Sequence, residues 1–133
     1  MDAAVVFVVL VVAAGASASR GGMLLGGQYP ASEHEQGVQK AMTFAMQEYN
    51  KQSNDMFLNT ITKVNGVTKQ LVSGTVYRID AVVSRTECKK SAVGVQNCPV
   101  HTDGNFAKSM NCQFEVLTIP WQRENKLQKK TCD

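Results

Sequence analysis

One segment, Glu35 to about Lys51, carries its apolar residues at helical spacing, and no other part of the chain does. Val38, Ala41, Met42, Ala45 and Tyr49 fall on one stripe, which Phe44 and Met46 widen. A helix of about five turns with a single apolar face needs a cover. With no second helical pattern to supply one, the cover must be a sheet. Ser32 followed by Glu35 reads as a capping box at the helix start, and Gln52-Ser53-Asn54-Asp55 as the turn that ends it. His34, beside the cap, reads as a surface residue rather than a ligand.

The rest of the chain supplies strands. Met56 to Val67 is β-branched in places but alternates poorly, which predicts an edge position or a bulge. Lys69 to Gly74 then reads as a hairpin, with Gly74 giving the backbone freedom of a tight connection. Tyr77, Ile79, Ala81 and Val83 share one face, against Arg78, Asp80 and Ser84 on the other with Val82 as the exception, so this strand is half buried against the helix. Thr86 to Met110 reads as a long connection. Asn111 to Ile119 returns to strand character, with Cys112, Phe114 and Val116 on one face. Ile119-Pro120-Trp121-Gln122 is a second bend, and the polar run to Thr131, anchored by Leu127, returns as the last antiparallel strand. The predicted class is α+β, an antiparallel sheet curled around one long helix.

Ala3 to Ala14 is almost unbroken Ala, Val, Leu and Phe, and Ala16-Ser17-Ala18 follows it in the small-x-small pattern of a signal-peptidase site. Residues 1–18 are therefore expected to be a signal peptide and 19–133 the mature domain. The leader carries Asp2 and no Lys or Arg. The run is short for a membrane span, so secretion of a soluble protein is expected, with no membrane partner. Cys88, Cys98, Cys112 and Cys132 make an even count, which in a small secreted chain reads as a disulfide framework. Three pairings are open. The sequential one, Cys88 with Cys98 and Cys112 with Cys132, is favoured because the first bridge would clip a polar loop and the second would tie the last residues to a strand. No CxxC occurs and the only histidines are His34 and His101, so no metal or other cofactor is expected.

The net charge is +3, and removing Asp2 with the leader leaves 14 basic against 10 acidic side chains, or +4. Lys89 with Lys90 and Lys126 with Lys129 and Lys130 lack the aromatic interleaving of a nucleic-acid surface, so no nucleic-acid partner is expected. There is no Asn-x-Ser/Thr triplet. Neither a Ser/His/Asp set nor a pair of converging carboxylates emerges, and a bridged cysteine cannot attack, so the chain does not read as an enzyme. What remains is a binding edge built from two apolar-tipped bends and a glycine-rich arm, in which Met23, Leu24 and Leu25 lie between Gly21-Gly22 and Gly26-Gly27.

With those residues in place the chain resembles a type 2 cystatin. The resemblance runs through the whole precursor: the leader, Gly26 after Leu24-Leu25, the run Ala45-Met46-Gln47-Glu48-Tyr49-Asn50, Gln70-x-Val72-x-Gly74, Pro120-Trp121, and four cysteines at family-like spacing. Gly27 departs from the pattern, since many members carry a bulkier residue there. The resemblance implies sequential disulfides and reversible, tight inhibition of papain-like, cathepsin-like cysteine proteases. Leu24, Leu25 and Gly26 of the arm, Gln70, Leu71, Val72, Ser73 and Gly74 of the first hairpin, and Pro120 with Trp121 of the second would wedge into the active-site cleft. Some members also inhibit legumain, an asparagine-specific cysteine protease, through a Ser-Asn-Asp sequence at the place of Ser53, Asn54 and Asp55. A monomer is expected, with domain swapping into dimers left open. The alternative is a secreted binding or defence protein that uses the cystatin fold without inhibiting.

Overall fold

The computed structural model describes residues 27–91 and 97–133. The expected leader, residues 1–18, and Leu24, Leu25 and Gly26 of the arm lie outside them. In order, the elements are β1 (Gln28–Pro30), α1 (Gln36–Gln52), β2 (Phe57–Val72), β3 (Gly74–Lys89), β4 (Ser109–Ile119), a 3-10 turn at Pro120–Gln122, and β5 (Glu124–Cys132). All strand pairs are antiparallel, and the sheet order follows the chain from β1 to β5. The α+β expectation of one helix against a single curled sheet holds.

The helix stripe is the reason for the curl. Val38, Ala41, Ala45 and Tyr49 are the buried residues of α1. They meet Ile79, Ala81 and Val83 of β3 and Phe114 and Val116 of β4 in one core, with Met42, Phe44, Met46 and Leu127 packed at its margin. Phe114 is the largest side chain buried completely, and the Tyr49 ring meets it edge-on at 6.4 Å. Gly37 lets the sheet come close at the helix start. A Cβ there would lie 2.3 Å from the Tyr77 hydroxyl oxygen. Cys88–Cys98 and Cys112–Cys132 are the two disulfides, in the sequential pairing.

Three local expectations need correction. Ser32 does not cap the helix: α1 starts at Gln36, with Glu35 in the N-cap position and no side-chain cap. The Ser32 N–H does donate to Glu35 Oε2, at 2.9 Å, but Ser32 Oγ takes the N–H of His34, so these residues close a turn ahead of the helix. Gln70, Leu71 and Val72 are not in a turn either. They stay in the ladder, pairing with Val76, Thr75 and Gly74, and Ser73 alone forms the tip. Finally, Thr86 to Met110 is not all connection. β3 continues to Lys89, Thr86 bridges Val100, and β4 begins at Ser109.

The poor alternation after Met56 has a structural counterpart. The β2–β3 register shifts between Phe57 and Asn59, between Ile61 and Lys63, and between Val64 and Gly66. Each irregularity moves the side-chain alternation out of phase, which a sequence pattern registers as noise.

Candidate functional site

At one end of the sheet, the β2–β3 tip and the β4–β5 turn lie side by side. The register sets this: Thr75 of β3 pairs with Thr118 of β4, one residue short of Ile119 and the Pro120 turn. Gly74 is what permits so close an approach. Its φ is +112°, and a Cβ on it would meet the Thr118 carbonyl oxygen at 2.5 Å. Both facts exclude a side chain. At the second turn, Arg123 adopts the left-handed conformation and its N–H donates to the Pro120 carbonyl at 3.0 Å, closing Pro120–Gln122.

The side chains that result are apolar and outward. Trp121 is 68% exposed and Val72 43%. Ser73 and Pro120 are exposed and Leu71 is half-buried. Gln70 has a supporting position beneath this rim. Its Oε1 accepts from Arg78 Nη1 at 2.7 Å, and Arg78 Nε pairs with Glu115 Oε1 at 3.0 Å, so one polar chain crosses β2, β3 and β4 behind the tips. On the other side of β2, Gln28 of β1 opposes Gln70. Because β1 is antiparallel to β2, its N-terminal end faces the same rim. Lys69 Nζ pairs with Glu35 Oε1 at 2.8 Å and ties β2 to the segment before α1. The Lys69 hydrogen bond holds the Glu35 carboxyl below the usual carboxylate range, and the same bond raises the Lys69 ammonium.

At the opposite end of β2, Ser53, Asn54 and Asp55 leave the helix. Ser53 N–H donates back to the Tyr49 carbonyl at 2.9 Å, and Ser53 Oγ accepts from the Asp55 N–H at 3.0 Å. Asp55 then gathers three donors: the Phe57 N–H at 3.0 Å, Asn59 Nδ2 at 3.2 Å and Arg85 Nε at 2.8 Å. Burial would raise its carboxyl pKa, but these hydrogen bonds outweigh burial and leave it lowered. Lys90 Nζ donates to the Ser53 carbonyl. Between two anchored neighbours, Asn54 is exposed.

The sequence reading therefore separates into two places. Gln70, Leu71, Val72, Ser73, Gly74, Pro120 and Trp121 come together at one rim, and Ser53, Asn54 and Asp55 lie at the other end of a strand that would span about 50 Å if straight, at about 3.3 Å per residue. Missing from that reading were Arg78, Glu115, Lys69, Glu35 and Arg85, which hold the two places in shape. Alternation placed Arg78 on the polar face. Nothing short of the strand register could name its partners. Among the described residues no group of His, Cys, Asp and Glu could hold a metal ion, and no helix is long and apolar enough to cross a membrane. Exposed Val72 and Trp121 at adjacent tips give the rim apolar surface available for contact with a partner.

Comparison with known proteins agrees in sequence and in fold. The family model for the cystatin domain matches residues 26–121. Cystatin-C of Macaca mulatta is 41% identical over 120 residues, covering 90% of this chain and 82% of that protein. Cystatin-2 of Crotalus adamanteus is 43% identical over 112 residues, covering 84% and 82%. Among solved structures, dimeric human cystatin F superposes with a TM-score of 0.75 at 22% identity, covering 89% of this chain and 94% of that one, a likeness of fold. The structure described as Al-CPI gives 0.70 at 27% identity, covering 81% and 98%.

Proposed function

The chain belongs to the cystatin family, and we propose that it acts as a secreted, reversible, tight-binding inhibitor of papain-like cysteine proteases, released by cleavage after Ala18. The observation that carries this reading is the pair of adjacent tips at which Val72 and Trp121 stand exposed, brought together by a glycine that admits no side chain. Obstruction of a cleft is the mechanism. Leu71, Val72, Pro120 and Trp121 bury apolar surface in the protease, while Gln70 and Gly74 keep the first hairpin in shape. Leu24 and Leu25 add contacts from the arm, with Gly26 as its hinge. No peptide bond is presented correctly to the catalytic cysteine, so the inhibitor dissociates intact. The protein acts as a monomer and needs no cofactor.

Titration of the mature protein against papain, and against one lysosomal endopeptidase and one exopeptidase, tests the reading. Stoichiometric loss of protease activity is expected. Full activity at high molar excess would replace inhibition with the alternative, a binding or defence protein on a cystatin fold. Deleting Ser19 to Leu25 should weaken inhibition, mainly through faster dissociation; equal inhibition by the truncated protein would remove the arm from the site.

A second site for legumain is favoured by one observation: Ser53 and Asp55 are held by hydrogen bonds while Asn54 is exposed between them. A carboxamide suits an asparagine-specific pocket because it donates and accepts hydrogen bonds at once. Legumain inhibition with and without papain bound tests the separation of the two sites. Mutual exclusion of the two proteases would overturn it.

A further inference from the structure

We propose that Asn65-Gly66 is a site of spontaneous deamidation, at which this chain converts an asparagine in the middle of strand β2 to aspartate and isoaspartate without an enzyme. Asn65 is the only asparagine in the sequence followed by glycine; the others precede Lys51, Asp55, Thr60, Cys98, Phe106, Cys112 and Lys126. The reaction needs the backbone nitrogen of the next residue to reach the asparagine side-chain carbonyl, and a following glycine offers the least obstructed nitrogen.

The structure places this dipeptide at an irregularity of β2, beyond the reach of β1, which opposes only Thr68 to Gln70. The register passes from Val64 opposite Ala81 to Gly66 opposite Asp80, so Asn65 is the extra residue of a bulge and has no ladder partner on β3. Both residues are exposed. A Cβ built on Gly66 would find nothing within 4 Å, so the strand face over the dipeptide is open, while Gly66 itself pairs with Asp80 in the ladder. The Asn65 side chain is lightly held. Its Nδ2 donates to Asp80 Oδ1 at 3.5 Å, at the long limit of a hydrogen bond. Asn59 is the contrast: it is 4% exposed, its Nδ2 donates to both Asp55 Oδ2 and the Phe57 carbonyl, and its backbone pairs with the Asn50 side chain.

The step balances without an oxidant or reductant. The Gly66 backbone nitrogen forms a bond to Asn65 Cγ, the bond from Cγ to the side-chain nitrogen breaks, and that nitrogen leaves as ammonia with the proton lost from the Gly66 amide. Water then opens the succinimide at either carbonyl, giving aspartate or isoaspartate. In both products a carboxylate replaces the group that donated to Asp80, so a donor facing an acceptor becomes two like charges. Isoaspartate also adds a methylene to the backbone at an existing register shift, so β2 loosens in mid-strand while the residues of both ends are unchanged.

Incubation of the full mature chain at neutral pH, followed by peptide mapping with isoaspartate-specific methyl labelling, tests the proposal. Asn65 should convert ahead of every other asparagine, with release of ammonia, and the aged protein should melt at lower temperature while still titrating papain. Gly66→Ala has room for its methyl and no positive φ to strain it, so it should fold and convert about tenfold more slowly, equivalent to about 1.4 kcal/mol on the barrier. Asn65→Asp should reproduce the fall in melting temperature, whereas Asn65→Gln should not. An intact Asn65 in protein whose other asparagines have changed, or conversion of Gly66→Ala at the wild-type rate, would overturn the proposal. So would suppression of the reaction by orders of magnitude in the folded protein relative to the urea-unfolded chain.

Discussion

The two ends of β2 hold their shape by different physics. At the Val72 end, form comes from the backbone: a glycine at φ +112°, a carbonyl that leaves no space for a Cβ, and a one-residue tip with apolar side chains facing out. At the Phe57 end, form comes from polar side chains, with Asp55 collecting donors from Phe57, Asn59 and Arg85. The first end has no titratable group in its tips, Leu71 to Gly74 and Pro120 to Trp121, and carries charge only behind them, in the Arg78–Glu115 and Lys69–Glu35 pairs. The second is built on an ionised carboxylate, so protonation, like mutation, acts on it.

Gly74→Ala should have the largest effect on stability. The methyl would need a strained φ and would collide with the Thr118 carbonyl, so a loss of more than about 2 kcal/mol is expected by denaturant unfolding. Inhibition of papain should weaken with it. A Gly74→Ala protein of wild-type stability would mean that side chains, not backbone, set the rim.

Asp55→Ala comes next. It strips Arg85 and two other donors of their acceptor in a place where the Arg85 and Asp55 side chains are only 20% and 13% exposed, and a loss of about 2 kcal/mol is expected, with papain inhibition unchanged. The pH dependence follows the same residue. Its carboxyl pKa is lowered in the folded state, because the hydrogen bonds outweigh the opposing effect of burial. Its contribution is therefore present above the ordinary carboxylate range and is lost as pH falls through the depressed value. Glu35, lowered by Lys69, adds to the loss in the same direction. Hydrogen exchange on acidification should show the Phe57 and Asn59 amides losing protection before those of Leu71 and Thr75. Simultaneous loss at both ends would erase the distinction.

The sequence carried the two ends unequally for the same reason. A backbone-determined rim is written locally: Gly74 and the Pro120-Trp121 pair announce their turns in the residues themselves, and the α1 stripe predicts the curled sheet that brings the turns together. The polar end is written in long-range pairs. Asp55 reads as a turn former, and its ion-pair partner Arg85 stands 30 residues away on β3, opposite Asn59. Ser32 misled for a related reason. Only half of the box forms, the Ser32 N–H donating to Glu35 Oε2, and the Glu35 carboxylate also accepts from Lys69 on a strand 34 residues away, so the motif fixes a turn before the helix instead of its first residue. The bulges of β2 blurred alternation enough to hide how far that strand runs.

Trp121→Ala probes the rim without touching its backbone. With the indole 68% exposed, the melting temperature should change little, while protease binding weakens by more than about 1 kcal/mol. This separates it from a core aromatic such as Phe114, whose truncation typically costs about 3 to 5 kcal/mol of stability. A large fall in melting temperature with an unchanged inhibition constant would assign Trp121 to the fold and leave the rim to Val72 and Leu71.

Asn54→Ala should have the smallest effect on the fold and is the most selective test of the far end. Ser53 and Asp55 make the hydrogen bonds that shape the turn, and the exposed Asn54 carboxamide stands between them. Stability and papain inhibition should both match the wild type, because surface substitutions away from such features stay within about 0.5 kcal/mol. Inhibition of legumain should fall sharply, because alanine leaves the pocket's donors and acceptors unpaired. Pairing this variant with Asp55→Ala separates presentation from recognition. Asp55→Ala should lose legumain inhibition together with stability, whereas Asn54→Ala should lose it at constant stability. Equal legumain inhibition by Asn54→Ala and the wild type would reduce the far end to a helix stop fastened to a strand, and the rim would then be the only inhibitory surface among the described residues.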